Sequence, residues 1–183
     1  MKNTFLYILT FLLGTTLFYG QKKLYKTDIA NIKFDAGKNK IEPINAENEK
    51  VKIILNSDTG EIACSMNMSD FSFPNKLMQE HFNENYIESD KYPKATFTGK
   101  IDNFSKTDFS SEKTVWVKGT FKIHGNTQTK TTKIKLLKQN NNYVIKSTFI
   151  LELKDYKIKI PSIMFYKIAE KVNVNLTAEL KEL

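Results

Sequence analysis

Residues 171–180 read KVNVNLTAEL, and they alternate without a break. Val172, Val174, Leu176, Ala178 and Leu180 fall on one side; Asn173, Asn175, Thr177 and Glu179 fall on the other. Successive side chains of a strand point to opposite faces, so this is a strand with one dry face and one wet face. The same period runs back through the chain. Residues 143–153, YVIKSTFILEL, place Tyr143, Ile145, Phe149, Leu151 and Leu153 together. Residues 132–138, TKIKLLK, set Ile134 and Leu136 against lysines, and 114–123, TVWVKGTFKI, put Val115, Val117, Phe121 and Ile123 opposite Trp116. Residues 94–101, KATFTGKI, align Ala95, Phe97, Gly99 and Ile101, and 50–56, KVKIILN, align Val51, Ile53 and Leu55. Ile62, Cys64, Met66 and Met68 continue the pattern after the turn at Ser57–Gly60. Further turns are expected at Gly125 and in the polar run 139–142, QNNN.

Only two segments read as helical. One starts at Pro74, a favourable first helical residue, and runs to about Asn83. The other is short, Ser162 to Glu170, after Pro161. The expected fold is therefore all-β, with about eight strands and two short helices. Strands with one wet and one dry face, joined in hairpin order, favour an up-and-down antiparallel barrel, which leaves no open edge. About eight strands just enclose one small elongated ligand.

The first residues belong to a different category. Lys2 is followed by an uncharged apolar run from Thr4 to Tyr19, and polar sequence resumes at Gln21. That length suits a secretory signal better than a spanning helix, which needs about 20 apolar residues. Residues 1–20 are expected to be a signal peptide cleaved near Gly20. Residues 21–183 would then form one domain in the periplasm or outside the cell. Cys64 is the one cysteine, so an internal disulfide is excluded, and its alternation with Ile62 and Met66 marks it as a small buried residue.

The formal net charge is +8, and every basic residue is lysine. Arginine supplies the planar fork that grips phosphate and guanine. Its absence, with lysines spread along the whole chain, argues against nucleic acid and for a solvated surface. Peripheral contact with a membrane is compatible with this charge.

Residues 77–101, LMQEHFNENYIESDKYPKATFTGKI, hold the candidates for chemistry. At about 100° per helical residue, His81 lies about 40° from Leu77, inside the apolar arc, whereas Glu80 lies near 300°, on the wet side. Only Glu84 shares a face with His81, and two ligands do not make a metal site. Glu88 and Asp90 precede Pro93 and read as turn residues, with Tyr92 forced extended to launch a strand. His124, just before Gly125, is expected at an exposed strand end. No catalytic set, metal site, phosphate loop or dinucleotide fingerprint is present, and no cofactor is expected. His81 has three readings: a bond to backbone that pins the helix, a polar contact to a ligand head group at the barrel mouth, or a metal or general-base role.

His81-Phe82, the acidic run Glu88–Lys91, Tyr92-Pro93 before an alternating strand, and Gly119 followed by Gly125 occur in an order that resembles the YceI-like family of lipid- or polyisoprenoid-binding-like proteins. The resemblance extends from about residue 22 to the end. Two features depart from the family pattern. The turn after Gly125 has no proline, and a late Phe-Gly pair is replaced by Tyr156-Lys157, at strand ends that bear on the pocket rim and ligand choice. The resemblance implies an extended, lipocalin-like barrel around a long apolar cavity suited to an isoprenoid chain such as a quinone tail. From periodicity alone, the stripe of Phe97, Ile101, Phe121, Ile123, Ile134, Leu136, Phe149 and Leu151 is either filled core or cavity wall. The resemblance makes these residues ligand-binding, with His81 and Phe82 at the mouth. Two other classes of function stay open: an envelope-stress interaction module with a closed core and a lysine-rich face for anionic partners, and an enzyme or metal protein built on His81.

Overall fold

The alternating segments form eight strands in a computed structural model that describes residues 23–39 and 43–183. They are β1 (Leu24–Gly37), β2 (Asn45–Asn56), β3 (Glu61–Asn67), β4 (Lys94–Ile101), β5 (Lys113–Ile123), β6 (Asn126–Gln139), β7 (Asn142–Glu152) and β8 (Ile168–Glu182). Each strand pairs antiparallel with its chain neighbours, and β1 pairs with β8 to close the barrel. The expected signal segment, residues 1–20, lies outside the described residues.

Two tight hairpins follow from turn chemistry. His124 and Gly125 (φ 49° and 70°) link β5 to β6, and Asn140 and Asn141 (φ 50° and 64°) link β6 to β7. Both central residues are left-handed, the geometry whose twist matches the flanking strands. A β-carbon on Gly125 would lie 2.6 Å from the Tyr92 ring, so this glycine is required for space as well as conformation.

The barrel has two unlike ends. At one end the β2–β3, β4–β5 and β6–β7 connections meet the start of β1 and the end of β8, and the interior is solid. Phe104 and Phe109, from the β4–β5 connection, stack with centroids 5.0 Å apart and meet Tyr143, which packs edge-on against Tyr25 at 4.7 Å. Leu55, Ile101, Leu136 and Leu180 complete this floor and are fully buried. Burying a large apolar side chain contributes about 1.5–3 kcal/mol, so the floor is a concentrated source of stability. The other end is covered by the β3–β4 connection, residues 68–93, and is hollow beneath it.

The helical expectations are corrected in part. The first helix is α1 (Lys76–His81), with Asn75 as its cap accepting from Leu77 N at 2.8 Å. It widens into a π-type turn over Phe82–Tyr86, closed by Ile87 N to Phe82 O at 2.9 Å. The second reduces to one 3-10 turn, Ser162–Met164. Ile168 to Glu170 already pair in β8, where the inward Ile168 and Val172 keep the strand period.

Candidate functional site

The hollow is a cavity of about 680 Å³ with walls that are almost entirely apolar. Small-molecule sites run from about 300 to 1,000 Å³. At about 30 Å³ per water-sized group, the space holds on the order of twenty carbon atoms. It extends from Val117, Ile134 and Ile145, above the floor, to Pro74, Met78 and Met164 at the mouth.

Phe97, Phe121, Ile123, Ile134, Phe149 and Leu151 line this cavity, as do His81 and Phe82. Ile101 and Leu136 do not. Both belong to the floor, where packing leaves no free volume beside them. The strand period distinguishes inward from outward but not height along the barrel, so floor and wall residues look alike in sequence. Val172, Val174 and Leu176 of β8 also line the cavity, although the period marks them only as an inward face.

The walls are kept open by a local arrangement on β4 and β5. Gly99 and Gly119 lie opposite one another. A β-carbon on Gly99 would lie 2.7 Å from the Phe97 ring, and one on Gly119 only 2.4 Å from it. Phe97 therefore lies flat along the two glycines instead of crossing the barrel, and packs on Phe121 at 4.5 Å.

The lid is held by aromatic contacts. Phe82 meets Phe73 at 5.0 Å, Phe34 at 5.7 Å and Phe71 at 5.8 Å. Each such contact contributes about 0.5–1.5 kcal/mol beyond area burial. Phe71 and Phe73 alternate immediately before Pro74, a period-two signal too short to stand out in the sequence. The π-type turn directs Phe82 and Ile87 inward, while α1 buries none of its own side chains.

His81 is exposed at the rim of the cavity, not tucked inside the apolar arc, because the helix sits on the mouth as a cap and turns that arc towards the opening. The other histidine also departs from expectation. His124 is nearly buried, its side chain only 10% exposed. Its Nδ1 lies 3.0 Å from the Tyr156 carbonyl, which can only accept, so Nδ1 carries the hydrogen; Nε2 lies 2.7 Å from Glu88 Oε2. Tyr92 packs edge-on against the imidazole at 4.5 Å. Glu88, left-handed at φ 48°, closes the lid segment. This acid, expected as a turn residue, therefore also clasps the lid to the β5–β6 hairpin. No spacing rule links positions 88, 124 and 156; closure of the barrel joins them.

Burial pushes the Cys64 thiol up to about 12, and it lines the cavity as a neutral, free cysteine. Burial, helped by nearby Asp155, likewise pushes the Tyr156 phenol up to about 12. Among the described residues, no group of three histidine, cysteine or acidic side chains could hold a metal ion.

A closed eight-stranded antiparallel barrel, solid at one end and enclosing a lidded apolar cavity at the other, defines the class: a small closed β-barrel around an apolar cavity. The chain belongs to the YceI-like domain family, whose model matches residues 25–180. Its fold is similar to that of a polyisoprenoid binding domain from Saccharophagus degradans implicated in plant cell wall breakdown. The TM-score is 0.75 and the identity 12%, over 89% of this chain and 100% of that one. It is also similar to BcnA of Burkholderia cenocepacia, with a TM-score of 0.68 and 12% identity over 82% and 95% of the two chains. A YceI protein from Campylobacter jejuni gives 0.53 and 14% over 72% and 78%. The comparison with curated proteins finds no match.

Proposed function

We propose that this chain is an exported, non-enzymatic carrier that holds one long apolar molecule, a polyisoprenoid, a quinone-like lipid or a related chain, inside its barrel. The observation that carries this reading is the apolar cavity of about 680 Å³ under an aromatic lid. Burial of each methylene contributes about 0.8 kcal/mol, so a chain of modest length suffices for firm binding. The polyisoprenoid binding domain among the structural neighbours supports the ligand class, and the apolar segment after Lys2 supports export to the periplasm or beyond. The hollow barrel favours this reading over a closed-core interaction module.

Loading at a membrane surface completes the proposal. Leu77 and Met78 on α1 are exposed at one side of the mouth. Ile163, Phe165 and Tyr166 are exposed on the loop that carries the cavity-lining Met164. Such a patch is suited to the apolar side of a lipid interface.

Native mass spectrometry of protein purified from a periplasm tests the reading. The expected result is a complex heavier than the bare chain by the mass of one lipid, released by organic extraction. A bare mass under gentle ionisation, together with no uptake from lipid vesicles, would refute it.

A further inference from the structure

Tyr156 lines the cavity, is 1% exposed, and its hydroxyl has no hydrogen-bond partner. Buried polar groups are nearly always paired, and each exception calls for a reason. The other end of the same residue is tightly held. Its carbonyl accepts from His124 Nδ1 at 3.0 Å and Asn126 Nδ2 at 2.9 Å. Gln128 Nε2 donates to the preceding carbonyl of Asp155 at 2.9 Å. The ring is thus fixed at its base and leaves one donor unused at the mouth end of an apolar cavity. Ser147, also on the wall, differs: its hydroxyl already donates to the Lys133 carbonyl at 2.9 Å.

We infer that Tyr156 is the head-group anchor of this site, donating its hydroxyl hydrogen to a neutral oxygen acceptor, such as a ketone or quinone carbonyl, at one end of an apolar ligand whose tail descends towards Val117 and Ile145. This rests on the lipid-carrier reading and deepens it. The local charges select a neutral acceptor over a carboxylate or phosphate. Asp155 is adjacent, and Lys130, the cation over the Tyr156 ring, is paired to Asp155 at 2.6 Å. With its phenol pushed up to about 12, Tyr156 stays a neutral donor at any pH where the protein works.

The test uses phytone and pristane, isoprenoid chains of equal length in which a ketone oxygen of the first takes the place of a methyl group in the second. Affinities are read by displacement of a fluorescent naphthylamine from the full mature chain and from Tyr156→Phe. The phytone-to-pristane affinity ratio should be about tenfold higher for the parent than for Tyr156→Phe, the size of one net hydrogen bond to a buried donor. In Tyr156→Phe the ketone oxygen is buried without a partner, so phytone loses affinity while pristane affinity is unchanged. The empty variant should melt no lower than the parent, because the substitution removes an unpaired polar atom and keeps the ring. An affinity ratio that is the same in the parent and in Tyr156→Phe overturns the anchor while leaving the carrier reading intact. Failure of the parent to bind either chain defeats the carrier reading, and the anchor with it.

Discussion

The Gly99–Gly119 shelf can be tested directly. A methyl group placed on Gly119 would lie 2.4 Å from the Phe97 ring and 2.6 Å from the Thr98 carbonyl oxygen. The ring can swing away into the cavity, but the carbonyl belongs to the β4–β5 ladder and can move only by bending it. Overpacking of this kind costs about 1–3 kcal/mol. Alanine recovers about 0.5–1 kcal/mol relative to glycine within a strand. The net loss expected for Gly119→Ala is therefore about 0–2.5 kcal/mol. For a chain of this size, each kcal/mol shifts the melting temperature by about 2–4 °C, which gives a fall of up to about 10 °C. The displaced ring should also occupy part of the cavity and lower ligand capacity. Thermal melts of Gly119→Ala, Phe97→Ala and the double variant form a cycle that isolates the ring. In the Phe97→Ala background the cost of displacing the ring should disappear, leaving the Thr98 part. A coupling below about 0.3–0.5 kcal/mol, the usual error of additivity, would show that Phe97 is not held flat by the glycines.

Three further outcomes follow from the same geometry. Phe82→Ala removes three ring contacts at once, so hydrogen exchange over residues 76–87 should accelerate and bound ligand should dissociate faster; unchanged protection would mean that the aromatic cluster does not hold the lid. Cys64 should resist thiol reagents in the native protein at pH 8, with roughly one molecule in ten thousand ionised for a thiol near 12, and react at once in denaturant; rapid native labelling would contradict its burial. Stability should depend on pH at both extremes, read as melting temperature. Asp70, bonded by Asn67 and then Lys50, and Glu152, bonded by Lys154, are held below the ordinary carboxylate range, so their contribution is present above about pH 4 and is lost as pH falls through their folded values. Tyr156 is raised from 10.0 to about 12, so its contribution is present below pH 10 and is lost as pH rises from 10 towards 12; a flat alkaline limb would refute its burial as a neutral phenol.

Strand period alone makes most of the barrel legible in the sequence. It fails where the period itself breaks. The alternation does not reveal β1, because its register shifts between Thr27 and Ala30 and again before Ile32, so Tyr25 and Thr27 point inward on one phase and Ala30, Ile32 and Phe34 on the other. A bulge inserts one residue and reverses the alternation that marks a strand. The break hides Phe34, a member of the lid cluster. The site is less legible than the fold, because depth in a barrel, like the meeting of Glu88, His124 and Tyr156, depends on closure between distant strands. His81 departs from its expected place for a related reason: an apolar arc on a helix shows that the arc faces something, but a cap over an open mouth turns it to a cavity rim instead of a packed wall.

The way the lid is attached determines which part of it can admit a ligand. The segment is pinned at its base by Met68 N to Pro93 O at 2.9 Å and by the paired bonds between Ser72 and Glu47, at 2.8 and 3.1 Å. It is pinned again at its far side by Glu88 on His124. Between these points lie residues 74–87, where α1 buries no side chain and where Phe82 and Ile87 make the inward contacts. Opening therefore needs only the aromatic cluster to separate, with no strand of the barrel disturbed. The solid floor makes this tolerable. A chain without a disulfide, hollow beneath its lid, concentrates its stability at the end away from the mouth, in Tyr25, Leu55, Ile101, Leu136 and Leu180. Local opening can then have a low free energy while the barrel as a whole stays folded. The same division explains why Ile101 and Leu136, though identical in pattern to the wall residues, cannot be given to the ligand: they are part of what lets the other end remain empty.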